Sequence, residues 1–224
     1  MKIDLDHLVL AARTLEEGVA WCERTLGITP GSGGRYALMG THNRVFSVAS
    51  AAFPRAYFEI IAIDPGAPAP GRARWFGLDD AALQADLARN GPRLVQWVAR
   101  CADLDAALAA LREAGVDGGR ILAASRATPQ GELRWRIAVP DDGARALRGA
   151  LPLLIEWGAM HPTDHLPGSG VQVTALALGT GEAAAGPLQA LGLQSWRAAG
   201  SAAPPIAATL ATPRGSVTLA AGAA

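Results

Sequence analysis

Two stretches that read alike decide the fold: DLDHLVLAARTLEEGVAWCERTLGI (4–28) and RLVQWVARCADLDAALAALREAGV (93–116). In the first, alternation gives a strand with Leu5, His7 and Val9 on one face and Asp6, Leu8 and Leu10 on the other. Thr14 and Glu17 make a capping box ahead of a helix. Its apolar stripe is Leu15, Val19, Cys22 and Leu26, and Gly27 ends it. The second stretch repeats this grammar. Leu94, Gln96 and Val98 share a strand face, Asp103 is the N-cap, Leu104, Leu108 and Leu111 form the stripe, and Gly115 is the stop. His7 and Gln96 each stand seven residues before their caps, and cap-to-glycine spacing is 13 residues in one copy and 12 in the other. A repeat of this size sets the architecture before any other feature is weighed.

Each copy continues into three strands. After Gly27 come the turn PGSGG (30–34), YALMG, a turn GTHN, RVFSVAS and finally AYFEIIAID (56–64). After Gly115 come GGRILAASR, a turn TPQG, ELRWRIAVP and finally LPLLIEWGAM (151–160). The expected fold class is therefore α+β, with paired βαβββ modules at 1–64 and 93–160 and a Pro/Gly/Ala-rich connection at 65–92 that carries a short helix, LDDAALQADLARN. Residues 170–224 read as a strand (171–178), a helix from Gly181 to Leu191 stopped by Gly192, and a hairpin around Pro213-Arg-Gly. That is a partial third module or a β-rich cap.

Composition narrows the function. With 20 basic and 20 acidic residues in 224, the chain has no electrostatic footprint for nucleic acid or an acidic membrane. No run reaches the ~20 apolar residues of a membrane helix, and Asp4 and Asp6 interrupt the N-terminus too early for a signal peptide. Cys22 and Cys101 form no CxxC, so a reduced, cytoplasmic compartment is expected. Lys2 is the single lysine among many arginines and alanines, which reads as the coding bias of a GC-rich bacterium. GSGG (31–34) precedes a strand rather than a helix, so it is no nucleotide fingerprint, and no nucleophile elbow or Cys–His signature is present. The expected partner is a small molecule, bound by a monomer or homodimer.

The repeat aligns His7 with Gln96 and Glu59 with Glu156. A glutamate inside Tyr-Phe-Glu-Ile-Ile or Leu-Ile-Glu-Trp is costly without a partner. One divalent ion (Ni, Zn, Fe, Mn, Co or Mg) satisfies all four groups and leaves two octahedral positions open, so His7, Glu59, Gln96 and Glu156 are the expected metal ligands. The competing reading pairs the glutamates with Arg134 and Arg136. Further expected substrate contacts are His42 and Asn43 in the turn after Gly40, Trp97, and Arg134 and Arg136, whose strand also carries Leu133, Trp135 and Ile137. Which of those two sets faces a cleft is open. The pair His161 and His165 is flanked by Pro162 and Pro167, which spoils helical zinc spacing; it reads as a solvated loop.

On these residues the chain resembles the vicinal oxygen chelate superfamily, which includes glyoxalase I, extradiol dioxygenases, epimerases, fosfomycin-modifying enzymes and drug-sequestering proteins. DHLV, the GG-to-GTHN stretch (33–43) and YFEIIA are most similar to its glyoxalase-like domain family, and RWFGLD (74–79) and LLIEWG (153–158) extend the likeness over roughly residues 4–160. The resemblance implies a U-shaped cleft between the modules with the ligand positions on its floor. The expected function is that of a metal-dependent isomerase or lyase acting on a small carbonyl or hydroxyl compound, with Glu59 or Glu156 taking a proton beside a metal-chelated oxygen. Extradiol cleavage fits less well, because its triad needs two histidines. The alternative is a metal-free binding or resistance protein, and an accessory subunit with a degenerate site is a third reading. A Gln96 side chain pointing away from His7 and the glutamates breaks the quartet and favours the binding reading, whereas two adjacent carboxylates retained in the cleft argue for the metal.

Overall fold

β1 (Ile3–Ala11) and β5 (Arg93–Cys101), the opening strands of the two repeats, pair antiparallel at the centre of one sheet, with His7 opposite Val98. The structure, a computed structural model, describes residues 2–179, 181–193, 196 and 203–221. The first module continues with α1 (Leu15–Leu26), β2 (Arg35–Tyr36), β3 (Thr41–Ser47) and β4 (Tyr57–Ile63). After α2 (Ala81–Asn90), β5 is followed by α3 (Leu104–Glu113), β6 (Arg120–Thr128), β7 (Gly131–Val139) and β8 (Leu153–Trp157). The eight strands run in the order β2-β3-β4-β1-β5-β8-β7-β6, and in each module the last strand lies parallel to the first. This is the paired βαβββ arrangement, curled so that Tyr36 of β2 meets Trp135 of β7 edge to face at 6.0 Å.

The curled sheet has two apolar sides. Leu5, Leu8, Leu10, Phe58, Ile60 and Trp97 pack outward against α1 and α3. Val9, Ile61, Val98, Trp135, Ile137 and Ile155 face inward, where Trp75, Phe76 and Leu78 of the connecting segment cover them. The helices start and stop where the sequence says. The Thr14 hydroxyl accepts the Glu17 N–H at 3.2 Å, the Asp103 carboxylate accepts the Ala106 N–H at 2.9 Å, and Gly27 (φ 76) closes α1 in a conformation that favours glycine. The tail supplies β9 (Gln172–Leu178), α4 (Glu182–Ala190), β10 (Ile206–Thr212) and β11 (Gly215–Ala220), a βαββ partial module whose three-stranded sheet closes over the outward core. The end of that module, 222–224, lies outside the described residues. Among the described residues no helix is long and apolar enough to cross a membrane.

One local expectation changes. YALMG does not form a full strand, because Met39 and Gly40 turn back onto Tyr36 and Ala37 through N–H···O bonds of 3.0 and 3.3 Å. Thr41, His42 and Asn43 are therefore the opening of β3 rather than a turn.

Gly18 tests how tightly α1 sits on the sheet, since an added Cβ would lie 2.3 Å from Cγ2 of Ile60. Alanine gains about 1 kcal/mol of helix propensity but overpacks against a stiff β-branched side chain at a cost of about 1–3 kcal/mol. Gly18→Ala is expected to lower stability by about 1 kcal/mol net in urea unfolding, and a stabilised variant would show that α1 docks loosely.

Candidate functional site

The site begins with a bulge. β1 pairs Leu5 with Ala99 and His7 with Val98, so Asp6 is the extra residue. The slip sends Leu5 outward with Leu8 and Leu10, while His7 turns inward with Val9. Simple alternation had placed Leu5 on the His7 face; the bulge corrects this. Asp6 is fully buried, and its carboxylate is met from three directions. His7 Nδ1–H donates to Oδ1 at 2.7 Å, and Trp157 Nε1–H donates to Oδ2 at 3.0 Å. His161 Nε2 lies 2.9 Å from Oδ2, and because Thr163 N–H donates to the other ring nitrogen of His161, Nε2 carries the proton. Arg100 Nη1 stands 3.5 Å from the same oxygen.

Glu59 arrives from β4, inward-facing between Tyr57 and Ile61. Its Oε2 lies 3.5 Å from His7 Nε2, and its Oε1 accepts Asn43 Nδ2–H at 2.5 Å. Asn43 also accepts the Gly34 N–H at 2.7 Å and approaches the Tyr36 hydroxyl at 3.1 Å. The His7 ring stacks on Tyr57 with centroids 4.5 Å apart. Burial by itself would push the His7 pKa down, but hydrogen bonds to Asp6 and Glu59 more than offset it and carry it up to about 9. Burial would likewise raise Asp6, yet the bonds from His161 and His7 hold its carboxyl well below the usual range. At neutral pH His7 is therefore held as an imidazolium beside the Asp6 carboxylate, with its Nε2 facing Glu59.

The four expected metal ligands do not converge. The parallel pairings His7–Tyr57 and Val98–Leu153 superpose Glu59 on Ile155 and His7 on Val98, so the second module has apolar residues where the first has its polar pair. Glu156 is one residue out of step and faces the opposite side of the sheet. There it caps α3 by accepting the Leu104 N–H at 2.8 Å and pairs with Arg136 at 3.2 Å, which is the competing reading of that residue. A second bulge, at Val95, sends Leu94 to the outward core while Gln96 stays in register with Val9; the Gln96 Nε2–H donates to the Leu151 carbonyl at 3.1 Å. Its Oε1 is buried without a hydrogen-bond partner among the described residues, beside Gly149 and the Val95 carbonyl and away from His7 and Glu59.

The remaining candidates separate in the same way. Asn43 is in the site, whereas His42 lies on the other face of β3. Trp97 is in the outward core with its indole N–H on the Ala150 carbonyl. The inward set of β7 is Leu133, Trp135 and Ile137; Arg134 and Arg136 point away, Arg134 paired with Glu132 and Arg136 with Asp105 and Glu156. His161, read as solvated, is 3 % exposed and bonded to Asp6. Asp6, Tyr36 and Tyr57 were not among the expected site residues. The one sequence signal for Asp6 was a carboxylate beside a histidine inside an otherwise apolar strand.

A divalent ion does not fit the donors present. His7 and Glu59 supply two, their counterparts Val98 and Ile155 supply none, and among the described residues no cluster of three or more His, Cys, Asp or Glu side chains can hold an ion. Instead His7 and Glu59 line a cavity of about 30 Å³, walled by Tyr36, Tyr57, Trp75, Trp135 and Trp157.

Comparison with known proteins places this geometry in a family. The model of the glyoxalase-like domain matches residues 5–211. A hypothetical protein from Staphylococcus aureus superposes with a TM-score of 0.55 at 12 % identity, covering 99 % of this chain and 87 % of its own. The methylmalonyl-CoA epimerase of Streptomyces coelicolor, in complex with 2-nitronate-propionyl-CoA, aligns at 21 % identity over 71 % of this chain and 99 % of its own, with a TM-score of 0.44. A search of curated proteins finds no match.

Two outcomes follow from the geometry. Folding lifts the His7 pKa from 6.5 to about 9, so its stabilisation is fully present below pH 6.5 and is lost as the pH rises through 9. The shift corresponds to a contribution on the order of 3 kcal/mol. NMR titration of the imidazole should place its midpoint near 9, and unfolding should show a fall in stability over that window that His7→Gln lacks; a midpoint near 6.5 would refute the arrangement. For Glu156→Gln the expectation is a loss of about 1–2 kcal/mol from the weakened α3 cap and ion pair, with the His7 midpoint unmoved.

Proposed function

The chain belongs to the glyoxalase-like domain family, and we propose that it catalyses isomerase-type proton transfer on a small carbonyl compound through His7 and Glu59, without a metal ion. One observation carries this reading: the His7 imidazole and the Glu59 carboxyl group stand 3.5 Å apart in an aromatic-walled cavity, while their counterparts in the second module are Val98 and Ile155. Glu59 is the base. Its Oε2 takes the proton next to the carbonyl and returns it, on the same face, to the neighbouring carbon. His7 is the electrophile. Once substrate enters, its Nε2–H donates to the carbonyl oxygen in place of Glu59 and stabilises the charge that develops as the C–H bond breaks, the task a metal performs elsewhere.

The surrounding residues have supporting roles. Asp6 holds the imidazole protonated and fixes its direction; Asn43 aims Glu59 through Oε1. The aromatic walls exclude water, which strengthens both charges. Because about 30 Å³ holds no more than a water molecule, substrate entry requires a wall to move. The segment Trp75–Gly77 is suited to that motion. Phe76 holds a φ of 61°, costly for a bulky side chain, and the Trp75 indole N–H is buried without a partner.

The test is exchange of the carbon-bound proton of small α-hydroxycarbonyl compounds in D₂O, followed by proton NMR. Wash-in of deuterium should survive metal stripping. It should fall by about 10²–10⁴-fold in Glu59→Gln and by about 10²–10³-fold in His7→Gln. Saturable ligand binding with no exchange would favour the sequestration reading. One tightly held ion per chain by elemental analysis would overturn the metal-free one.

A further inference from the structure

A second cavity opens at the mouth of the cleft, between the PGSGG turn, the β6–β7 hairpin and the segment after β8. It has a volume of about 390 Å³, and Ser32, Gly33, Arg126, Leu133, His161 and His165 line it. That size suits a small molecule. Arg126 belongs to the inward face of β6, in step with Leu122 and Ala124, which pack on the inward core. The other arginines of the hairpin are paired: Arg120 with Asp141, Arg134 with Glu132, and Arg136 with Asp105 and Glu156. Arg126 has no such partner among the described residues, and its Nε is buried without an acceptor. Its guanidinium packs against Gly34, where a Cβ would come within 2.3 Å of Nη1 and 3.0 Å of Cζ. Glycine at 34 is thus a steric condition for this placement.

We propose that Arg126 is the anchor of an anion subsite that takes the carboxylate or phosphate of the small molecule bound in this cleft. A half-buried cation without a carboxylate is unfavourable unless something supplies the charge, and the planar guanidinium fork matches either oxyanion. The position is apt. Gly34, beside the guanidinium, donates to Asn43 Oδ1 at 2.7 Å, and Asn43 Nδ2–H holds Glu59 Oε1 at 2.5 Å, so one packing contact and two hydrogen bonds link the anchor to the base. Leu133 gives the cavity an apolar wall, and His161 joins it to Asp6. The substrate class is then a short molecule with an anionic end and a carbonyl-bearing body. This rests on the reading of the cleft as a small-molecule site, but the anion subsite itself does not require proton transfer.

The experiment titrates inorganic phosphate and, separately, malonate into the full chain at constant ionic strength, reading the arginine Nε–H and glycine amide resonances by NMR. A saturable shift confined to Arg126, Gly33 and Gly34 is expected, and the tighter of the two probes identifies the head group. Affinity should fall about 10-fold or more in Arg126→Gln and by less in Arg126→Lys, with Arg112→Gln on the exposed face of α3 unchanged. Shifts spread over many surface arginines, no saturation with either probe, or an Arg126→Gln variant that binds as tightly as the parent would each overturn the subsite. If Arg126→Gln fails to fold, the shift pattern of the parent decides. Glu59→Gln separates the two proposals, because it should abolish deuterium exchange and still bind the anion. Exchange without anion binding would sink the subsite alone.

Discussion

The buried carboxylate of Asp6 is the constraint on which the site depends. Moving a carboxylate into an apolar sheet costs several kcal/mol unless it is fully bonded. Here the donors come from separate parts of the chain, His7 from β1, Trp157 from β8 and His161 from the segment beyond it, and the Arg100 cation of β5 stands 3.5 Å away. Satisfying one charge therefore ties both modules and the return loop to a single point. The same bonds hold the imidazole of His7 protonated and turn its free nitrogen toward Glu59. The structural role and the chemical role of Asp6 are the same interaction.

The second theme is asymmetry within a repeat. Two modules of one architecture enclose the cleft, but only the first contributes its histidine–glutamate pair. The second contributes Trp135, Ile137, Ile155 and Trp157, a dry wall. Such a division suits proton transfer by side chains. Charges on one wall and low polarity on the other raise the strength of each electrostatic contact without demanding a multiply charged ion. Glu156, freed from the site by a single-residue offset, serves the fold by capping α3.

Much of the fold was legible in the sequence. The Thr14, Asp103 and Gly27 caps, the 3.6-residue stripes and the alternating strands are local signals, and each acts over a few residues. The repeat then implied how the pieces assemble. For the site, legibility stopped at residue types. His7, Glu59 and Asn43 were recognisable because a polar side chain in an apolar strand needs a reason. Gln96 and Glu156 looked equivalent by spacing, yet the link from strand to helix is two residues shorter in the second module, so equal distance from the cap does not mean equal place in the sheet.

What the sequence by itself determined is the set of elements, their order and the pairing of two like modules, because these follow from propensity, capping and periodicity along the chain. What only the tertiary structure decided is which side of the sheet each polar residue faces. Strand side chains alternate with period two, so one bulge at Asp6, one at Val95 and one offset in β8 reassign faces that no local pattern marks. That reassignment sent Glu156 out, while packing of the segment beyond β8 brought His161 onto Asp6 and the Leu151 carbonyl took up Gln96. It left His7 and Glu59 facing each other.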